Sequence, residues 1–167
     1  MKKTLISGKV TIDAPKQKVW DALADFGNVQ AMSPNIIISY LTSDQESGVG
    51  TQRHCDFALM GAEVEERIVD WEEGKRLKID IYECKKLPMV TAMEAEFILE
   101  ESGEQTILTG HFHYGMKNAL GGLLNSILMK KMNAKTWAQF LAGIKHHLET
   151  GEMVNKKTVL DLSKVSM

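Results

Sequence analysis

The sequence predicts an α+β domain in which a seven-stranded antiparallel sheet curves around one long C-terminal helix. Three observations lead there. Six strand-like runs follow one another between residues 35 and 117, joined by connections too short for anything but antiparallel neighbours. Several runs alternate apolar with polar residues, which gives the sheet one dry face and one wet face. From about residue 120 the period turns helical and stays so to about 150. A sheet with a dry face needs a partner, and no other element is long enough to cover it.

Residues 4–13 open the chain as a strand, rich in apolar and β-branched types from Leu5 to Ile12. A short helix follows over 15–26, where Val19, Trp20, Leu23 and Phe26 recur at helical spacing. Pro15 suits its first turn, because the missing N–H would have no partner there. Gly27 and Asn28 tolerate a left-handed helix end. The stretch "DFG" at 25–27 matches the tripeptide with which protein kinases hold Mg²⁺. Only 24 residues precede Asp25, and they hold no Gly-rich loop, strand lysine or catalytic loop, so a helix terminus is the better reading. A second short helix fits 28–33, stopped by Pro34.

"NIIISYL" at 35–41 is strand-like, and the polar "TSDQESGVG" at 42–50 is a turn. Further strands are expected at 50–58, 62–72, 75–84, 90–101 and 105–117. Their separators are "LMG" (59–61), "EEG" (72–74), "KKLP" (85–88) and "SGE" (102–104). Leu77, Ile79 and Ile81 share one inner face; Met93, Ala95, Phe97 and Leu99 share another. Leu108, Gly110, Phe112, Tyr114 and Met116 form a third. In the long helix Leu120, Leu123, Ile127, Ala134, Trp137, Leu141, Ile144 and Leu148 fall on one stripe, within about 60° of Leu141. The helix should run about 30 residues, roughly 45 Å, and end at Gly151. Leu124, Leu128 and Met132 form a second apolar strip, open to the short helices or to a partner such as a second copy of the chain. One domain is therefore expected over 1–151, with a partly mobile tail at 152–167.

Composition narrows the function. The chain has 167 residues, 44% hydrophobic and 25% charged, which is ordinary for one globular domain with a real core. A net charge of −2 without a large basic block argues against nucleic acid. Cys55 and Cys84 are isolated, with neither zinc spacing nor a disulfide framework. No window approaches a transmembrane segment or a signal-peptide core, so a soluble, cytoplasmic protein is expected. No phosphate loop, metal motif or nucleophile–base order is evident, and no cofactor is expected.

The stretches "VTIDAPKQKVWDALADFGNVQAMSPNI" (10–36), "GVGTQRHCDF" (48–57), "EVEERIVDWEEGKRLKIDI" (63–81), "LP" (87–88) and "FLAGIKHHLE" (140–149) carry a resemblance. Over about residues 4–150 the chain resembles the START-like, or SRPBCC, superfamily, nearest its polyketide cyclase/dehydrase and lipid-transport branch. The resemblance implies a helix-grip fold with a deep cavity between sheet and helix, which in relatives takes an apolar or amphipathic small molecule. It places "DFGN" between the two short helices, near one rim of that cavity. It also implies two functional readings. One is binding, or transport, of a lipid or polyketide-like aromatic. The other is cyclase, aromatase or dehydratase chemistry in the same cavity.

Inward polar residues then matter most. Lys130 lies inside the apolar stripe, about 20° from Leu141, as an anchor for an anionic ligand or as a lysine reaching back to water. Arg53 and Arg67, on adjacent strands, could orient an acidic ligand or form a cross-strand surface ion pair, with Glu65 two residues from Arg67 on the same face; a slip of one residue would turn both outward. Tyr40, Tyr114 and Trp137 could stack on a ligand or simply pack the core. Phe57, Ile79, Ile81, Met93, Phe97, Phe112 and Ile127 complete the expected lining, and Met60, Met116 and Met132 would suit a compliant wall. His111 and His113 share a strand face, but Phe112 and Tyr114 claim the inside, so the histidines belong outside and no metal is expected.

Overall fold

The computed structural model describes residues 3–87, 90–116 and 122–167. Strand β1 (Thr4–Ile12) leads into helix α1 (Lys16–Ala24) and a 3₁₀ segment at Phe26–Met32, kinked at Asn28. Six strands follow: β2 (Ile36–Leu41), β3 (Gln52–Phe57), β4 (Glu63–Glu72), β5 (Arg76–Lys85), β6 (Val90–Ser102) and β7 (Gln105–Met116). Helix α2 spans Gly122–Thr150, 29 residues. The chain closes with a 3₁₀ turn at Leu162–Lys164 and a two-residue strand β8, Val165–Ser166.

The sheet runs in the order β2-β3-β4-β5-β6-β7-β1-β8, and every pairing is antiparallel. Eight strands therefore stand where seven were expected. The extra one comes from the supposed tail: Val165 pairs with Val10 and Ser166 with Lys9. Val154 is buried too, and its N–H donates to the Ala31 carbonyl at 2.9 Å. The tail escaped notice because it docks through single residues rather than a periodic face.

The expected inner faces are inside. Leu77, Ile79, Ile81, Ala95, Phe97, Leu99, Leu108 and Tyr114 are buried, as are Trp137, Leu141, Ile144 and Leu148 on α2. Contact between helix and sheet is close where glycines in neighbouring strands, Gly8 of β1 and Gly110 of β7, leave no side chain between them. A Cβ on Gly110 would meet Leu141 and Trp137 side-chain atoms at 2.9 Å. The apolar stripe does not, however, stay covered along the whole helix. Ile127, Leu128 and Met132 are exposed, and continuous burial starts at Trp137. Leu120, Pro88 and the side chains of Leu123 and Leu124 lie outside the described residues.

Candidate functional site

Between the sheet and the middle of α2 lies a cavity of about 170 Å³. Its floor comes from inner-face residues of β3 to β7, and its roof from Asn133, Thr136, Trp137 and Phe140. These helical positions recur at i, i+3, i+4 and i+7, so one helix face is turned to the cavity. Leu59, half-exposed on the β3–β4 turn, and Leu87 also border it.

One wall is aromatic. Trp137 stacks between Phe97 (5.6 Å between centroids) and Phe112 (5.3 Å), and Phe140 meets it at 5.6 Å. The indole N–H is satisfied by the Gly110 carbonyl at 3.1 Å, which holds the ring against the sheet.

A second wall is ionic. Arg53 (β3) and Glu66 (β4) sit opposite each other in register, only 6% and 7% exposed, and both line the cavity. Arg53 Nε donates to Glu66 Oε2, and Nη1 donates to the Phe26 carbonyl at 2.9 Å. The guanidinium also lies 3.9 Å over the Phe26 ring. "DFGN" thus supplies a carbonyl and an aromatic face that hold the arginine. The Cys55 thiol approaches Glu66 Oε2 at 3.8 Å. Burial, reinforced by the Glu66 charge, pushes that thiol far above its ordinary range, so Cys55 is a weak donor and no nucleophile.

Eight of the expected lining residues border the cavity: Arg53, Phe57, Ile79, Ile81, Met93, Phe97, Phe112 and Trp137. Five do not. Tyr40 is exposed on the outer face, its ring 5.1 Å from that of His54. Arg67 also faces outward, pairing with Asp80 at 3.4 Å and lying over Tyr82. Strict alternation in β4 turns Val64, Glu66 and Ile68 inward, so Arg67 must point the other way. Tyr114 is inside but packs against Phe112 in the core, away from the lining. Ile127 and Lys130 are exposed, because this part of α2 runs beyond the cover of the sheet. The cationic anchor expected at Lys130 is therefore not at the cavity. Met60 and Met132 are exposed as well.

Glu66, Asn35, Asn133, Thr136 and Phe140 were not anticipated. Glu66 carried a readable signal: an acid between Val64 and Ile68 at period two is an acid on a dry face. The outer histidines are outside as expected; His111 Nδ1 meets the Ser7 hydroxyl at 3.0 Å. His54 sits between Glu65 (2.5 Å) and Asp56 (2.9 Å), and its pKa is raised. The Glu65 hydrogen bond is the main cause; partial burial opposes it and Asp56 adds to it. Among the described residues no group of three or more His, Cys, Asp or Glu is placed to hold a metal ion, and no helix is long and apolar enough to cross a membrane.

A curved antiparallel sheet closed on one long helix around a mostly apolar cavity defines the helix-grip class of START-like proteins. Within it, this chain belongs to the polyketide cyclase/dehydrase and lipid transport family, whose sequence profile matches residues 3–149. Its fold is similar to a START superfamily protein from Mycobacterium smegmatis, with TM-score 0.72, 15% identity, and coverage of 87% of this chain and 97% of that one. A protein from Thermus thermophilus superposes with TM-score 0.73 at 17% identity, over 87% of this chain and 97% of its own. Ginseng major latex-like protein 151 from Panax ginseng gives TM-score 0.68 at 15% identity, over 90% and 97%. No curated protein matches the sequence.

Proposed function

We propose that this chain binds an apolar or amphipathic small molecule, such as a lipid or a polyketide-like aromatic, between its sheet and its C-terminal helix. One observation carries the reading: a largely apolar cavity, aromatic on one side, whose lining includes a buried ion pair that helix packing alone does not need. The family's description points the same way.

The alternative is cyclase, aromatase or dehydratase chemistry in the same space. It needs a group that moves protons within reach of the ligand. Among the described residues no tyrosine lines the cavity, and Arg53 and Glu66, which do, are held to each other and to Phe26 as an ion pair rather than as a free acid or base. Binding is therefore the stronger reading.

The test is direct. The neutral fluorophore N-phenyl-1-naphthylamine should brighten on adding the protein, and small molecules released by denaturing extraction should compete with it. Filling the cavity by Ala95→Phe should remove the signal while the protein stays folded; Ala95 is buried and lines the space. The reading is lost if the fluorophore finds no site and extraction releases nothing.

A further inference from the structure

Not every polar atom of the ionic wall is used within the wall. Arg53 commits Nε to Glu66 and Nη1 to Phe26, while Glu66 commits Oε2 to Arg53 and Cys55. Arg53 Nη2 and Glu66 Oε1 have no partner among the described residues. Neither is among the fully enclosed unpartnered atoms, which are Arg76 Nε and His113 Nδ1. Two residues this deeply buried thus keep a donor and an acceptor that are neither partnered nor sealed off; both residues line this cavity, and the second space that Arg53 borders, of about 10 Å³, is too small for more than a water. An unused donor or acceptor in an apolar cavity is costly, and a ligand that satisfies both removes that cost.

We infer that the Arg53–Glu66 pair selects an uncharged ligand carrying one hydroxyl, which accepts from Arg53 Nη2–H and donates to Glu66 Oε1, and that it rejects carboxylates. This rests on the binding reading above and names its ligand class. Charge decides between the head groups. Arg53 alone would attract an anion, but Glu66 already neutralises it at contact distance. A carboxylate would meet the unshared oxygen of Glu66 as a like charge, and would have to leave water to do so. An ether can accept but has nothing to donate to Glu66. A hydroxyl does both. Size narrows the body of the ligand. A cavity of about 150 Å³ in another protein holds one benzene. The enclosed 170 Å³ here therefore takes one substituted ring of the ligand, the one that carries the hydroxyl, against Phe97, Phe112 and Trp137, and any larger body extends out of the cavity, which is not closed.

The inference is tested on the full chain by calorimetric titration at pH 7 with 4-propylphenol, 4-propylanisole and 4-propylbenzoate. The phenol is neutral at this pH and the benzoate is charged. The phenol should bind about ten- to a hundredfold more tightly than either of the others, as a hydrogen bond to a charged group implies. Glu66→Gln, checked for folding by circular dichroism, should reverse the order by letting Arg53 attract the benzoate. If Glu66→Gln does not fold, the three-ligand comparison on the unmodified protein still decides. Benzoate binding as tightly as phenol overturns the inference, and so does anisole matching phenol. In either case uptake of N-phenyl-1-naphthylamine would leave the binding reading standing. If neither the fluorophore nor any of the three ligands binds, the binding reading fails with it.

Discussion

At the level of single residues, the contrast between Arg53 and Arg67 shows how far a pattern can be read. Both are strand arginines flanked by mixed residues, and sequence alone left their register open. The answer lay in Glu66, whose apolar neighbours Val64 and Ile68 show which way β4 faces. With Glu66 inside, Arg53 is its register partner and Arg67 must point outward. Breaking the pair should be worse than removing it. Arg53→Met should cost about 3–5 kcal/mol, since it strands a buried carboxylate, whereas Arg53→Met with Glu66→Leu should recover most of that loss. Urea unfolding of the two variants checks this, and equal losses would count against a closed ionic wall. His54, on the outer face, gives a pH prediction. Its pKa is raised above 6.5 in the folded protein by Glu65 and Asp56. Its stabilisation is therefore complete below the unfolded value and is lost as pH rises through the folded one. The stability margin of the unmodified protein over His54→Gln should be larger at pH 5.5 than at pH 9. A margin that grows with pH would contradict the assignment.

Among the elements, helix α2 was the most legible and also the most misleading. Its periodicity correctly placed Trp137, Leu141, Ile144 and Leu148 against the sheet. The same wheel carried the stripe back through Lys130 and Ile127, because a wheel knows angle and not how far the sheet extends along the axis. Phe140 and Asn133 were missed for the converse reason: they flank the stripe, on the side that lines the cavity. Leu141 is fully buried and fills the space that Gly8 and Gly110 leave on β1 and β7. Leu141→Ala should therefore cost about 2–5 kcal/mol, measured by denaturant unfolding. Gly143 offers a sharper test, because two effects of opposite sign compete there. Alanine in a helix interior normally gains about 0.5–1 kcal/mol over glycine. Here a Cβ would stand 2.2 Å from the Met32 carbonyl oxygen, so α2 must move away from the 3₁₀ segment. Overpacking of this kind costs about 1–3 kcal/mol, so Gly143→Ala should destabilise the protein on balance. A stabilised Gly143→Ala would mean that helix and 3₁₀ segment do not touch there.

For the molecule as a whole, the question is whether residues 152–167 belong to the folding unit or merely follow it. A weak pattern argued for a mobile tail, yet Val154 and Val165 are buried and β8 extends the sheet beyond β1. Burial of two valines contributes roughly 3–6 kcal/mol in gross terms. Ordering the residues that carry them offsets part of this. The edge of β1 is not left bare without β8, because Lys145 Nζ reaches the Thr11 carbonyl at 2.8 Å and Glu149 accepts from the Asp13 N–H at 2.7 Å. Truncation after Gly151 should then remove about 1–2 kcal/mol net, a fall of roughly 2–8 °C in Tm for a domain of this size. None of the residues lining the cavity lies beyond Phe140. The truncated protein should therefore take up N-phenyl-1-naphthylamine with unchanged affinity while melting earlier. Loss of binding together with stability would show that the tail shapes the cavity through the helix it braces, and an unchanged Tm would return it to the status of a tail.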